Sequence, residues 1–414
     1  MRCEDRFYEI YGRDYDGIAF CPYRICPIGA HSDHNFGRIT GLAIDKGIHL
    51  VYAPKQNGVV ELSSIQFPKR AQWHINGVPD KKVGDWADYL RGATLSLERE
   101  HRLKVGLCGV IEGTLPIGGL SSSAAVILAF LSAICQVNGI RLEQQELIDL
   151  AYDAELNYVG VSVGKLDQSC EVLSQARHLL YLDTLDGRYE LIPEHPDMKP
   201  YKIAIFFSGL EHSLAGSKYN MRVDELRAGV YALQAFAGME YGKFKEAAAR
   251  HVPREVYDQY KDCLPDPWRK RCEHWYTEFE RVREGAEAWR RGDIETYGRL
   301  SFASGWSSIR RLRYPGFESS VPGLQCAIKS LNSKASDLPL WQSNVQTSAT
   351  SGSLRSRVNA VALSPRQRAA KNFVATFAIS SVKRWKESRI QPQPYTAAAP
   401  FDAMFSILPT IRIP

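Results

Sequence analysis

Apolar positions between residues 17 and 70 come in short runs separated by turn residues. GIAFCPY, GRITGLAI, GIHLVYAP and GVVELSSIQF set β-branched or aromatic residues between Gly and Pro, and each predicts a strand. The period then changes, because Val83 to Arg99 carries apolar residues at helical spacing. KVGLCGVIEGTLPIGG returns to strand character and runs into a Gly-containing loop. The next segment, SSSAAVILAFLSAICQVNG, is apolar almost all round, which predicts a buried helix. LEQQELIDLAYDAELNYVG predicts a second, amphipathic one. HLLYLDT and YKIAIFFSG predict further strands, and residues 220–300 are mostly helical and heavily charged. Strands first, then loop-and-helix units, then a second mixed segment indicate an α+β fold in two lobes. Neither an internal repeat nor a doubly wound pattern is present.

Composition sharpens this picture at the far end. Of the 414 residues, 44% are hydrophobic and 24% charged, enough to bury a sizeable core. The formal charge of +6 is unevenly spread. Residues 312–414 hold 13 Lys/Arg against 4 Asp/Glu, whereas residues 1–311 hold 39 against 42. The body is therefore weakly acidic, which excludes strong non-specific nucleic-acid binding by it. The last segment also has 15 Ser and only 3 Gly, with little periodicity. It is expected to be a basic, Ser-rich tail of the kind that out-of-frame coding sequence yields. Nine scattered cysteines, no two at CxxC spacing, argue against a zinc knuckle and a secreted disulfide framework. MRCEDRFYEI has no apolar core, and the longest apolar stretch, Ala124 to Cys135, falls short of the roughly 20 residues a bilayer needs. A cytoplasmic protein without a membrane partner is expected.

Two segments carry chemistry. Thr114 to Ala125 reads TLPIGGLSSSAA. Pro116 ends a strand, Gly118 and Gly119 let backbone approach a ligand, and Ser121, Ser122 and Ser123 open the apolar helix. Free N–H groups and the dipole at a helix start favour an anion, and polyphosphate is the natural guest. An ordinary Ser cap would explain one serine, but three exceed what capping needs. The pattern is neither a Walker A loop nor a dinucleotide fingerprint. The second segment, Cys21 to Gly37, reads CPYRICPIGAHSDHNFG. His31, Asp33 and His34 could suggest a metal cluster or a polar turn, and no further ligand is spaced to join them.

The first segment resembles the phosphate-loop motif of the GHMP small-molecule kinases, although the loop is one residue shorter between Pro116 and Gly119. The second is similar, without gaps, to the galactokinase signature PGRVNLIGEHTDYNGG. The resemblance implies a two-lobed GHMP fold with a ferredoxin-like C-terminal lobe, ATP and Mg²⁺ as cofactors, and a small-molecule sugar as substrate. It also implies that Pro116, Gly118, Gly119, Leu120, Ser121, Ser122, Ser123 and Ala124 bind ATP. Arg24 falls on the family's catalytic arginine, and His31 and Asp33 on its sugar-hydroxyl contacts. Asn35 and Gly37 fall on the closing turn. VGKLDQ is similar to the family's GIMDQ, which implies that Gly164 lies against the sugar and that Asp167 is the catalytic aspartate. Such a carboxylate would accept the proton of the anomeric hydroxyl as that oxygen attacks the γ-phosphorus. Glu155, twelve residues before Asp167, and Ser123 match the two metal ligands. LEHSLAGSKYNMR resembles HSLASSEYPVR, which makes Tyr219 a sugar contact. Trp86 and Tyr89 resemble a helix near the nucleotide and are given no catalytic role.

One departure is informative. The family has Glu where this chain has Ala30, and that Glu accepts a hydrogen bond from the sugar's 6-hydroxyl. Replacing the acid suits a substrate that carries its own carboxylate at C6, and RICPIGAHSDH looks most like the galacturonokinases. Lys165 and Arg38 are candidate partners for that carboxylate. The expected function is ATP-dependent phosphorylation of D-galacturonate at its anomeric hydroxyl. The alternatives are a galactokinase acting on D-galactose and an impaired sugar- and ATP-binding regulator. The third family motif, a Gly-rich FSGAGFGGC loop, is missing, since Gly316, Gly323 and Gly352 are never within six residues of one another. The expected organisation is an N-terminal lobe over residues 1–195, a partial C-terminal lobe over 196–311 and the anomalous tail over 312–414, in a monomer.

Overall fold

The computed structural model describes residues 2–115, 120–207, 219–312, 342–343 and 375–381. A helix not expected from the sequence, α1 (Cys3–Tyr11), opens the chain. Its buried positions, Cys3 and Phe7, are one turn apart and pack against the first sheet beside Val51 and Val110. That sheet is centred on β1 (Gly17–Ile25) and β2 (Arg38–Lys55), which pair antiparallel. The sequence predicts two strands where β2 is one. The register shifts between Pro22, opposite Gly47, and Arg24, opposite Ala43, so the intervening AIDKG turn signal is absorbed as a bulge and the strand continues. Glycine is required at 47, where a Cβ would lie 2.0 Å from Cys21 O.

Strands β3 (Val59–Ser64), β4 (Ala71–His74), β5 (Gly106–Gly113), β6 (His178–Asp183) and β7 (Tyr189–Pro193) complete the sheet. Its order is β4-β3-β5-β2-β6-β7, with β1 on β2; β3 and β5 pair parallel and the other neighbours antiparallel. Helix α2 (Asp88–Glu100) begins five residues later than its apolar pattern. The reason is Asp88, whose carboxylate accepts the backbone N–H of Val83 at 2.9 Å and of Gly84 at 2.6 Å and so fixes the turn ahead of the helix. Helix α3 (Ser122–Asn138) is buried as its composition predicts, with Ile127, Phe130, Leu131 and Ile134 wholly inaccessible. Each such side chain contributes about 1.5 to 3 kcal/mol on burial.

Helix α4 (Gln144–Asp153) runs into a π-helical turn, Ala154–Val159, and is followed by α5 (Leu166–Leu173). Beyond β7 come β8 (Tyr201–Phe207) and the helices α6 (Tyr219–Phe236), α7 (Arg254–Tyr260), α8 (Asp266–Arg290) and α9 (Ile294–Arg311). Helix α8 takes part in two cores. Its first half packs Cys272, Trp275 and Tyr276 among Leu226, Leu233 and Tyr257 of α6 and α7. Its second half sends Val282, Ala286 and Trp289 into the main core beside α3 and the first sheet.

Two stretches of the tail are strands, β9 (Gln342–Ser343) and β10 (Ala375–Ser381). They form a second sheet of order β8-β10-β9, with Ala375 opposite Phe207 and Ser381 opposite Tyr201. Although the tail as a whole is Ser-rich with little periodicity, ATFAISS is locally apolar and β-prone, and it pairs the edge that β8 offers. No helix among the described residues is long and apolar enough to cross a membrane. The eight described cysteines are all free thiols, seven of them buried.

Candidate active site

The loop between β1 and β2 has an unusual backbone. Gly29 takes φ +111°, where a Cβ would lie 2.6 Å from Ile39 Cα. His31 and Phe36 are left-handed, at φ 60° and 58°, around a short 3₁₀ turn at Asp33–Asn35. Left-handed geometry in a non-glycine residue costs on the order of 1 to 2 kcal/mol, so the surroundings must hold it. Asn35 Oδ1 accepts from Ala249 N at 3.0 Å, and Gly37 O accepts from Thr184 Oγ1 at 2.7 Å. Asp33 packs so closely on Gly164 that a Cβ there would lie 2.3 Å from Asp33 Oδ2. The ring of His31 is 5.5 Å from that of Tyr219, the first residue of α6, and His34 is 6.1 Å from the same ring.

Asp167 sits in the first turn of α5, beside Arg24 of β1. Arg24 Nε and Nη2 both donate to Asp167 Oδ1, at 2.8 and 2.6 Å. This charge-assisted pair is largely buried, with side-chain exposures of 11% and 19%. Burial works against the Arg24 charge, but Asp167 outweighs it and the guanidinium is held more firmly protonated than usual. Arg24 N also approaches Leu120 O at 3.4 Å, which ties β1 to the start of α3.

Glu155 lies in the π-helical turn, is almost wholly buried, and accepts from Gln168 Nε2 at 2.5 Å. A π-turn inserts one residue into a helix and re-aims the side chains that follow; such turns recur at functional sites. Burial, and then the Asp167 charge, push the Glu155 carboxyl up to about 7, while the Ser123 hydroxyl bonded to it works the other way. Asp33 is pushed up to about 6 by burial and then by Asp167. Glu171, one turn beyond Asp167, is buried and raised well above its ordinary value by burial and the same neighbour. The two imidazoles of the sugar loop shift the other way, because burial disfavours their charged form. Burial and the charge of Arg222 lower His31 well below the usual imidazole range, and burial and Arg227 pull His34 down to about 3. Both imidazoles are neutral near pH 7.

The donor chemistry of Ser123 and Glu155, one hydroxyl and one carboxylate in contact, fits a hard divalent cation that keeps water and phosphate oxygens as its other ligands. Among the described residues no group of three or more His, Cys, Asp or Glu side chains is arranged to hold a metal ion. Ser121 is the left-handed residue before α3, buried, and its hydroxyl makes no hydrogen bond within the protein. Ser122 and Ala124 follow in the first turn. Pro116, Gly118 and Gly119 lie outside the described residues.

The structure thus brings together Arg24, Ala30, His31, Asp33, Gly164, Asp167 and Tyr219, with Glu155 and Ser123 beside them. Lys165 and Arg38 are engaged elsewhere. Lys165 Nζ pairs with Asp149 at 2.5 Å, and Arg38 Nε with Asp183 at 2.9 Å, beside Arg250 at 2.7 Å. Trp86 precedes α2 and stacks on Phe67 at 5.9 Å. Sequence reasoning missed Gln168, Glu171 and three residues of α8, His274, Trp275 and Glu278. Gln168 and Glu171 follow Asp167 on the same short helix, and that adjacency is the signal that could have found them.

The chain is similar to known proteins over most of its length. The family described as GHMP kinases N terminal domain matches residues 88–175. A galacturonokinase of Arabidopsis thaliana is 34% identical over 323 residues, 73% of this chain and 76% of that protein. A galactokinase of Roseiflexus is 30% identical over 333 residues, 80% of this chain and 81% of that protein. Among solved structures, Lactococcus lactis galactokinase complexed with galactose superposes with a TM-score of 0.72 at 23% identity, over 91% of this chain and 89% of that one.

Proposed function

The chain belongs to the GHMP kinases, in the group that contains galactokinases and galacturonokinases, and from that premise we propose that its sugar is D-galacturonate, phosphorylated at the anomeric hydroxyl. ATP-dependent sugar phosphorylation follows from the family. The choice of sugar and the residue roles are our reading, and the observation that carries it is Ala30 at the centre of the sugar loop. Asp33, Glu155 and Glu171 are each already raised by burial and by Asp167. A further carboxylate at position 30 would face the C6 carboxylate of a uronic acid. Two such charges about 4 Å apart repel by roughly 1 to 4 kcal/mol, depending on the effective dielectric. Alanine removes that repulsion, and the positive field of Arg222 and Arg227 on His31 and His34 favours an anionic group at this end.

In this reading Asp167 takes the proton of the anomeric hydroxyl as its oxygen bonds to the γ-phosphorus and the bond to ADP breaks, giving the sugar 1-phosphate and ADP. Arg24 orients Asp167 through its two hydrogen bonds and stabilises charge on the phosphoryl group in flight. Gly164 gives the sugar close access, and His31, Asp33 and Tyr219 hold its hydroxyls. The segment Leu120–Ala124 holds the polyphosphate. Ser123 and Glu155 would hold Mg²⁺, which supplies charge neutralisation when bound. No covalent enzyme intermediate is required, and catalysis rests on positioning and electrostatics. Residues 1–195 and 196–311 are taken as the two lobes, and residues 312–414 as an anomalous segment. An assay with ATP and Mg²⁺ against galacturonate and galactose tests the reading. Preference for galacturonate supports it, equal use of both sugars overturns the role of Ala30, and turnover of neither assigns the chain to regulation.

A further inference from the structure

Helix α8 and its neighbour α9 grip the backbone of the sugar loop from the second lobe. His274 Nε2 lies 2.8 Å from Ala30 O and His274 Nδ1 lies 2.9 Å from Ser307 Oγ. A carbonyl oxygen only accepts, so Nε2 carries the proton and Nδ1 accepts from the serine. Burial lowers His274, in keeping with a neutral ring. Trp275 Nε1 donates to Ser32 O at 3.1 Å. One turn on, Glu278 accepts from Gly29 N at 2.7 Å, is bonded by Ser304 Oγ, and pairs with Arg281 at 2.6 Å. Ser301 Oγ donates to Pro27 O at 3.0 Å. The carbonyls on either side of left-handed His31, those of Ala30 and Ser32, are therefore each fixed by an α8 side chain, and Glu278 fixes the peptide that leads into Gly29.

We propose that His274, Trp275 and Glu278 are positioning residues for the sugar. They hold the backbone from Gly29 to Ser32 in its strained conformation, and through it set where the His31 and Asp33 side chains and Ala30 meet the substrate. Glu155 and Ser123, by contrast, are held by the π-turn, α3 and α5. The three α8 residues should thus govern sugar binding with little influence on ATP. This rests on the sugar-kinase reading above but concerns residues that never touch the substrate.

The test uses the full chain with His274→Leu, His274→Gln and Trp275→Phe. Galacturonate Kd is measured calorimetrically without ATP, alongside KM for each substrate, kcat and thermal stability. His274→Leu should raise sugar Kd and KM by about tenfold or more, with KM for ATP changed by less than about twofold. His274→Gln, whose amide nitrogen reaches the Ala30 carbonyl, should recover most of that loss. Trp275→Phe keeps an aromatic ring, loses the pyrrole and its donor, and should cost about three- to fivefold in sugar Kd. Equal rises in both KM values, failure of Gln to recover more than Leu, or an unchanged sugar Kd in the folded Leu variant would each overturn the proposal. If His274→Leu does not fold, an unchanged sugar Kd in Trp275→Phe overturns it instead. Should the unaltered chain take galactose rather than galacturonate, the choice of sugar fails and the same variants are compared on galactose, so the two failures remain separate.

Discussion

Between Pro27 and Gly37 the backbone carbonyls of Pro27, Ala30, Ser32 and Gly37 each accept from a side chain elsewhere in the fold, namely Ser301, His274, Trp275 and Thr184. At Ser121–Ser123 the situation is reversed. Helix α3 begins there without a side-chain cap, without an acid in its first turn, and with the buried Ser121 hydroxyl making no bond within the protein. A helix start leaves its first N–H groups unmet by its own backbone. One half of the site satisfies itself and is shaped before substrate arrives. The other presents donors that an anion can satisfy, which is what a polyphosphate site requires. In the reading proposed above, rigidity at the sugar end would serve discrimination between hexoses that differ at one carbon. Orphan donors at the other end serve affinity for charge.

Asp167 is where the two halves meet, so the largest effect is expected there. Asp167→Asn keeps the shape but cannot take the proton, and turnover should fall by about a thousandfold while ATP binding stays measurable. A fall of less than about tenfold would exclude it as the base and favour activation by Arg24 and the metal alone. Next comes a change confined to the phosphate half. Ser123→Ala removes a hydroxyl bonded to Glu155 and should lower kcat/KM for ATP by roughly 10- to 100-fold, with galacturonate Kd within about twofold of the original. If sugar Kd moves as far as the ATP parameters, the halves are not separable.

The sugar half is probed by Ala30→Glu, which should shift preference from galacturonate towards galactose by about tenfold in kcat/KM, equivalent to about 1.4 kcal/mol. No shift would leave Ala30 without a role in specificity. Asp33 supplies a subtler test, because its carboxyl is pushed up to about 6 by burial and then by Asp167. Above its ordinary value of 3.8 and up to about 6, the folded protein holds a proton that the unfolded chain releases. This contribution to stability is complete below that ordinary value and is lost as pH rises through about 6, amounting to about 3 kcal/mol at most. The urea midpoint of the unliganded protein, taken relative to that of Asp33→Asn, should therefore fall as pH rises from 4.5 to 7, because the opposing titration of His31 and His34 is common to both. An equal slope in the variant would show that Asp33 does not carry it.

Local signals were legible in the sequence, and long-range ones were not. GIAFCPY, KVGLCGVIEG and the apolar helix after Ser121 announced their structure because burial on one or all sides leaves a period in the text. The AIDKG turn signal misled, since a bulge absorbs a polar turn without breaking pairing. α1 was missed because only Cys3 and Phe7 mark its buried side. At the site, residues within contiguous motifs could be named in advance. His274 and Glu278 could not, as they lie more than 240 residues from the peptides they hold, in a helix whose text, CEHWYTEFERVREG, reads as a charged outer surface. Arg38 and Lys165 show the converse: proximity in sequence suggested substrate contact, but carboxylates of the fold, Asp183 and Asp149, engage them first.

The smallest effect on this comparison is expected from the tail. Both halves of the site are built from residues before Leu312, and α9 ends there with Arg311 paired to Glu273 and bonded to Ser307. Beyond that point the described residues contribute β9 and β10, which pair with each other and along β8 and lie against α9, remote in the chain from the sugar loop and α3. A chain ending at residue 313 should therefore keep its galacturonate Kd within about threefold, with lower thermal stability because β8 loses its neighbour. Trypsin should yield a resistant product ending near Arg313, since Arg311 is tied to Glu273 of α8 and the text after it is basic and Ser-rich. The gene offers an independent check on the missing Gly-rich motif. A single inserted or deleted base near codon 310 should restore a frame encoding an FSGAGF-like loop. With that loop restored, closure over the phosphates should raise turnover and leave sugar binding unchanged, which sharpens the division between the two halves. If no alternative frame yields the loop, the tail is a genuine divergent segment, and ATP affinity must rest on the segment Pro116–Ala124 without it.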